Sequence, residues 1–527
     1  MTAFDFSRPY PSGRSPIMTR NVVSTTHPLA AQAGLQMIKA GGNAVDAIIA
    51  TAATLTVVEP VSNGLGSDLF ALIWSPADKQ LLGLNSSGRS PQAWGLEQFP
   101  NGIPMRGWGS VSVPGAIAGW VALSKRLGKL PFADLLAPAI EIAERGYMVS
   151  PIISAQWAKA VPILKDQPGY AEHFMPRGRA PLPGELFRNP AQAEALRMIA
   201  ESEGESFYRG KLAARIVAHA KQHGGLMTGI DLAAHVADWV EPIKTGYRGY
   251  EVAEIPPSGQ GIAALMALAI AEEFDLKSLG PNHPDYWHIS IEAMKLAFRD
   301  VFAQVADPEY MNVSPAAMLD RDFLKARAKL IDLKRAQDFS PSADLKGGTV
   351  YLNSADESGM MVSLIQSNYY GFGSGVVVDG ISLQNRGYGF VTDPKHPNCV
   401  AGGKRPFHTI IPGFILKDGK PQSAFGVMGG HMQPQGHMQT AIRMIDFGEN
   451  PQAALDAPRF RVEQGLEVDL EPWTPPAVRE ELAKRGHKLK ENKDSYMDFG
   501  SGQIIWKTED GYITGSDPRR DGCAAGF

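Results

Sequence analysis

Cysteine is nearly absent, with Cys399 and Cys523 the only two in 527 residues. Nothing calls for a disulfide framework, and the pair read as incidental thiols of a cytoplasmic protein. Long apolar runs are missing as well. No stretch of about 18 apolar residues occurs, so no membrane-spanning helix is expected. The first twenty residues carry Arg8, Pro9, Pro11 and Arg14 without an apolar core, which does not read as a secretory signal. Charge of one sign is scarce too: a formal net charge of −4 argues against nucleic acid or an anionic membrane as partner. His-Glu-x-x-His, a Gly-x-Ser-x-Gly elbow, a Walker loop and a Cys-x-x-Cys pair are all lacking. His431 and His437 stand six apart, off one helical face, so no metal pair is expected there. Small-molecule chemistry without metal or organic cofactor remains.

What is present is globular: 44% hydrophobic and 20% charged residues, with 55 glycines and 39 prolines to make many sharp turns. Thr26-His27-Pro28 caps a helix that stops at Gly41-Gly42, and Asn43 starts a second, Ala-rich and buried one. Strands fit at 69–74 and 80–85 around a Ser-Pro-Ala-Asp turn. From about 115 to 340 helical patterns dominate, broken by a strand-like run at 250–255. The longest helix, 286–304, carries Glu292 and Lys295 at i and i+3, read as a helix-surface pair. Lys329 to Lys346 reads as a surface linker. Beyond it come a hairpin of 350–355 with 360–367, strands at 407–416, 422–427 and 501–507, and helices at 434–446 and 475–486. This is an α+β order.

Gly347-Gly348-Thr349 stands where the linker meets the hairpin. A mid-chain threonine is ordinary, and a loop entering a strand accounts for the tripeptide. Freed at a new N-terminus, the same residue carries a nucleophilic hydroxyl and an α-amine base together. Gly429-Gly430 lies between a strand and a helix. It reads either as a tight turn or as two N–H groups cradling an oxyanion. The aromatic group Tyr369, Tyr370 and Phe372 reads as core or turn packing, and as a pocket wall only if the hairpin forms a site.

Several further segments resemble the γ-glutamyltransferase family of N-terminal-nucleophile hydrolases, in order along nearly the whole chain. They are Gly41-Gly42-Asn43-Ala44-Val45-Asp46-Ala47, Ser112 to Gly119, Tyr247-Arg248-Gly249-Tyr250, and Pro256-Pro257-Ser258-Gly259-Gln260-Gly261. Late in the chain come Lys404-Arg405-Pro406, Gly429-Gly430, Ala457-Pro458-Arg459-Phe460 and Ser516-Asp517-Pro518-Arg519. The resemblance implies a four-layer αββα sandwich made as an inactive precursor. Self-cleavage between Gly348 and Thr349 gives a helix-rich large subunit, 1–348, with core strands near 69–85, and a small subunit, 349–527. The two form one composite domain, and whether that unit pairs again as a dimer is left open. Thr349 falls on the nucleophile, Ser367 on a hydroxyl residue that orients it, and Gly429 and Gly430 on the oxyanion-hole glycines.

The glutamyl-binding groups of the family do not carry over. The arginine position falls on Ser87, the asparagine on Tyr369, the aspartate on Gly389, and a serine pair on His408 and Thr409. Losing the acid that binds an amine removes recognition of an amino-acid head. The segments from Gln384 to Thr409 are similar to a cytoplasmic branch that includes the bacterial oxamate amidohydrolase of purine and allantoin breakdown. The expectation is hydrolysis of a small carboxylate-bearing amide, with oxamate, giving oxalate and ammonia, as the first candidate. Arg89 and Arg386 are the candidate cations for its carboxylate, beside packing or surface roles for either. Two alternatives stand: a γ-glutamyl, glutathione or acyl-amide hydrolase with an altered pocket, and an unprocessed, non-catalytic relative that binds a ligand.

Overall fold

A computed structural model describes residues 13–339, 348–491 and 498–527. Two seven-stranded sheets dominate it. One contains Val22–Thr25, Asp68–Ser75, Gln80–Ser86, Asp238–Val240, Gly348–Ala355, Met361–Tyr369 and Cys523–Gly526. The other contains Ile17–Thr19, Ile243–Tyr247, Tyr250–Glu254, Gly413–Lys417, Lys420–Met428, Ser501–Lys507 and Tyr512–Ser516.

The period-two alternation along each strand explains how the sheets stack. Phe70, Leu72, Trp74, Tyr351, Met361 and Ile365 face inward, against Phe414, Ala424, Met428 and Ile505 of the second sheet. Their neighbours Leu69, Ala71, Ile73, Val350, Leu352, Val362 and Leu364 face outward, onto helices Ala44–Val58 and Ala116–Leu127. On the far side Val252, Ile415, Phe425 and Ile504 meet helices Gly261–Ala271 and Met432–Ile445, and Pro284–Gln304 packs on the first of these. Both sheets are covered on both faces, so their strands read as continuous apolar runs. The result is the expected α+β, four-layer αββα sandwich.

Local chemistry sets most boundaries. His27 caps Pro28–Lys39 by accepting the Leu29 N–H, and Asn43 and Asp46 close a reciprocal capping box on Ala44–Val58. Between the sheets Gly426 faces Tyr351: a Cβ there would lie 2.3 Å from the phenol ring. Gly426→Ala is therefore expected to cost about 1–3 kcal/mol of stability, read as a lower denaturation midpoint.

Three expectations change. The 407–416 strand is shortened to Gly413–Lys417, because 407–412 leaves the ladder to line the site. Glu292 and Lys295 are not a surface pair; both are buried and joined at 2.8 Å. Short strands at Asp238–Val240, Ile243–Tyr247, Tyr512–Ser516 and Cys523–Gly526 extend the sheets beyond the expected set. Gly347 and the linker beyond Phe339 lie outside the described residues. Both cysteines are free thiols, and no described helix is long and apolar enough to cross a membrane.

Candidate active site

Thr349 opens the fully buried strand of the hairpin and is itself only 1% exposed. Its partner strand does not run in simple register. Gly348 pairs with Tyr369 and Val350 with Gln366, so the shift at Thr349 leaves Ser367 beside it rather than opposite. The Thr349 Oγ1 to Ser367 Oγ distance is 3.2 Å.

A hydroxyl has one proton and two lone pairs, and Ser367 uses all three. Its Oγ accepts the Tyr369 N–H at 2.7 Å and donates to the Gly348 carbonyl at 2.8 Å. The remaining lone pair faces the Thr349 hydroxyl. Protons are thus ordered Thr349 to Ser367 to the carbonyl immediately before Thr349. Tyr369 takes up a left-handed backbone, φ 78°, to complete this serine turn. That strain throws its ring over the Arg386 guanidinium, 4.3 Å from the ring centre.

The second sheet delivers the other half of the site. Strand Lys420–Met428 ends at Gly429 and Gly430, with φ of 128° and 59°, and helix Met432–Ile445 follows. The left-handed turn needs glycine. The Gly429 carbonyl accepts the Met432 N–H at 3.0 Å, and the Gly430 carbonyl accepts the Gln260 amide at 3.0 Å. Among the described residues neither glycine N–H donates a hydrogen bond. Gln433, in the first helical turn, brings its Nε2 to 3.5 Å from Thr349 Oγ1. The positive end of the helix therefore faces the threonine.

A buried charge cluster adjoins these groups. Asp68 lies directly across the ladder from Ser367. Its Oδ2 accepts from His408 Nε2 at 3.2 Å and sits 3.4 Å from Arg386 Nε. Arg386 Nη1 donates to Thr409 Oγ1 at 2.9 Å, while Nε and Nη2 make no hydrogen bond in the fully buried side chain. Burial pushes the guanidinium down from its usual range and His408 down to about 4. His408 is then neutral, and Asp68 alone balances Arg386. With Nε facing Asp68 and Nη1 on Thr409, Nη2 is the guanidinium group left open to a further carboxylate.

Arg89 is not brought to this site. Its Nη1 is held by Asp307 and the Gly403 carbonyl, each at 3.0 Å. It lines a separate cavity of about 180 Å³ with Asp231, His235, Asp238 and Arg405. Tyr369 and His408 do join the Thr349 cluster, as do Thr409 and Arg386. Asp68, Gln260, His431 and Gln433 were missed by sequence reasoning. The acid of Asp68 at the head of the apolar run Leu69–Trp74 was a visible signal. The other three follow glycine-rich turns, where only the fold shows what they meet.

A cavity of about 590 Å³ opens beside the cluster, walled by Tyr369, Tyr388, Gly389, Phe302, Phe407 and His431. Far from it, His288, Glu292 and His487 place ligand atoms within 4.8 Å of one another. The two imidazoles bond each other at 2.8 Å and Glu292 is engaged by Lys295 at 2.8 Å. Of that set, His487 Nδ1 is the buried atom left without a hydrogen bond among the described residues.

A profile of the gamma-glutamyltranspeptidase family matches residues 30–527. The glutathione hydrolase-like YwrD proenzyme of Bacillus subtilis is 36% identical, over 98% of this chain and 100% of that one. The oxamate amidohydrolase proenzyme of Klebsiella pneumoniae is 35% identical, over 97% and 99%. Among solved structures, cephalosporin acylase from Bacillus halodurans superposes with a TM-score of 0.96 at 48% identity, covering 100% and 99% of the two chains.

Proposed function

The chain belongs to the gamma-glutamyltranspeptidase family and is an amidohydrolase of the N-terminal-nucleophile type, and from that premise we propose that Thr349 is its nucleophile, released by self-cleavage after Gly348. The observation that carries this reading is the ordered contact from Thr349 Oγ1 through Ser367 to the Gly348 carbonyl. In the precursor, Thr349 Oγ attacks the Gly348 carbonyl carbon, and Ser367 hydrogen-bonds the oxygen as it gains charge. The C–N bond breaks, the nitrogen becomes the free α-amine, and water hydrolyses the ester linking Gly348 to Thr349. In turnover the α-amine takes the Thr349 proton while Oγ attacks the substrate carbonyl. The Gly429 and Gly430 N–H groups receive the oxyanion. The amine then protonates the leaving nitrogen, and water releases the acid.

For the substrate, we infer an amide whose acyl part carries a carboxylate, held by Arg386 Nη2. Oxamate is its smallest form and the first candidate. The 590 Å³ cavity favours a second reading, a longer carboxyacyl group. Gly389 and Tyr369, which align with acyl-binding positions of the family, both line it. That reading accords with the acylase named in the similar structure.

Intact-mass measurement of the denatured protein tests the self-cleavage. Fragments 1–348 and 349–527 are expected; a single uncut chain after long incubation would instead favour a silent, ligand-binding relative. Ser367→Ala should slow self-cleavage by about 10²-fold, the scale of one lost donor to a developing oxyanion. A time course of fragment appearance reads it, and an unchanged rate would remove Ser367 from the reaction.

A further inference from the structure

His431 follows the glycine pair, and its imidazole lines the cavity between Phe302 and Phe407, with ring centres 5.1 and 5.9 Å away. Its protonation pattern is set by Gln260. The Gln260 Nε2 donates to the Thr409 carbonyl at 2.6 Å and to the Gly430 carbonyl at 3.0 Å, which uses both of its protons. The flipped amide would set its oxygen against two carbonyl oxygens. Oε1 is therefore the atom 2.7 Å from His431 Nδ1, and that nitrogen must carry the proton. A neutral imidazole has only one N–H, so Nε2 is left with its lone pair.

Burial, and the nearby charge of Arg386, push His431 down to about 3, so the ring stays neutral across physiological pH. No described residue bonds Nε2. Two other polar walls, His396 and Asn398, are already engaged. His396 Nε2 faces the Phe302 carbonyl at 2.8 Å and its Nδ1 accepts the Asn398 N–H at 3.0 Å. Asn398 donates to the Gly389 carbonyl at 2.7 Å and accepts the Phe407 N–H at 2.9 Å.

We propose that His431 Nε2 is a hydrogen-bond acceptor in the wall of the acyl cavity, selecting acyl groups that carry a neutral O–H or N–H donor. The proposal rests on the reading that this cavity takes the acyl part of the substrate. An oxalyl group has no O–H or N–H to offer the acceptor, so the residue acts on longer carboxyacyl groups. A cationic ammonium is disfavoured there because the Arg386 charge lies close by, which separates this pocket from one built for an amino-acid head.

Two measurements test it. The γ-p-nitroanilides of 2-hydroxyglutarate, glutarate and glutamate differ only by hydroxyl, hydrogen or ammonium on one carbon. The processed enzyme should favour the hydroxyl form over the glutaryl form by about tenfold in kcat/KM. His431→Phe should bring the two to parity while still hydrolysing the glutaryl form. Equal rates in the unsubstituted enzyme, or a preference that survives His431→Phe, would overturn the proposal. Independently, the ¹⁵N shifts of labelled histidine in the unsubstituted protein should show His431 protonated on Nδ1. Protonation on Nε2 would overturn it whatever the activity. Turnover of none of the three anilides would instead fail the reading of the cavity, and the tautomer would still decide whether an acceptor is there.

Discussion

Thr349→Ala is expected to remain one uncut chain and to show no amide hydrolysis, while Thr349→Ser still cuts itself. The alanine variant loses the hydroxyl that attacks Gly348, so the peptide bond persists and no α-amine is freed. Both reagents of turnover vanish with one oxygen atom, so the effect is total rather than partial. Serine keeps the oxygen, and the contact at 3.2 Å to Ser367 can still form. Packing is not the cause in either variant, since the site lies at the end of a strand whose remaining residues stay buried. Intact mass and ammonia release read both effects. Normal maturation of the alanine variant would sink the assignment of Thr349.

Much of this architecture was legible because the strands that form the sandwich are long and apolar. Leu69 to Trp74 and the Thr349 hairpin announce themselves by composition, and the intervening turn fixes their pairing. The strands that were missed are shorter edge or near-edge pieces, and two of them are held only by neighbours distant in sequence. Cys523–Gly526 pairs with Val22–Thr25 and Asp238–Val240 with Gln80–Ser86. No local pattern carries such a contact. Glu292 and Lys295 misled for a related reason. Helix Pro284–Gln304 is covered from Tyr286 through Phe298, so charge no longer marks a solvent face. The proposed nucleophile was legible because its chemistry is local, a hydroxyl beside its own amine. The proposed substrate cation was not, because Arg89 sits in a loop and Arg386 opens a short 3₁₀ turn, and only the tertiary contacts separate them. Asp307 claims one, and the partly unmet fork of the other lies beside Thr409 and Tyr369.

Arg386→Lys should lower kcat/KM for carboxylate-bearing amides by about 10³-fold and leave self-cleavage intact. The guanidinium is a rigid plane whose Nη2 makes no hydrogen bond among the described residues while its Nε already faces Asp68 at 3.4 Å, so a substrate carboxylate is expected at Nη2. An ammonium supplies charge without the fork, and its longer reach to Thr409 cannot be kept at the same time. Lysine is the informative replacement because it still balances Asp68. Removing the charge altogether would leave that carboxylate buried and unpaired, at a cost of about 3–5 kcal/mol, and confuse lost binding with lost folding. In the proposed self-cleavage the acting groups are Thr349, Ser367 and the Gly348 carbonyl. Arg386 bonds none of them, so maturation serves as the internal control. Ammonia release from oxamate against uncharged oxamide, and glutaryl against pentanoyl p-nitroanilide, isolates the carboxylate term in both substrate readings. In each pair the preference for the anion should collapse in the variant. Should the ratio survive, the carboxylate is bound elsewhere, and the buried arginine serves only to hold Asp68, Thr409 and Tyr369 in place.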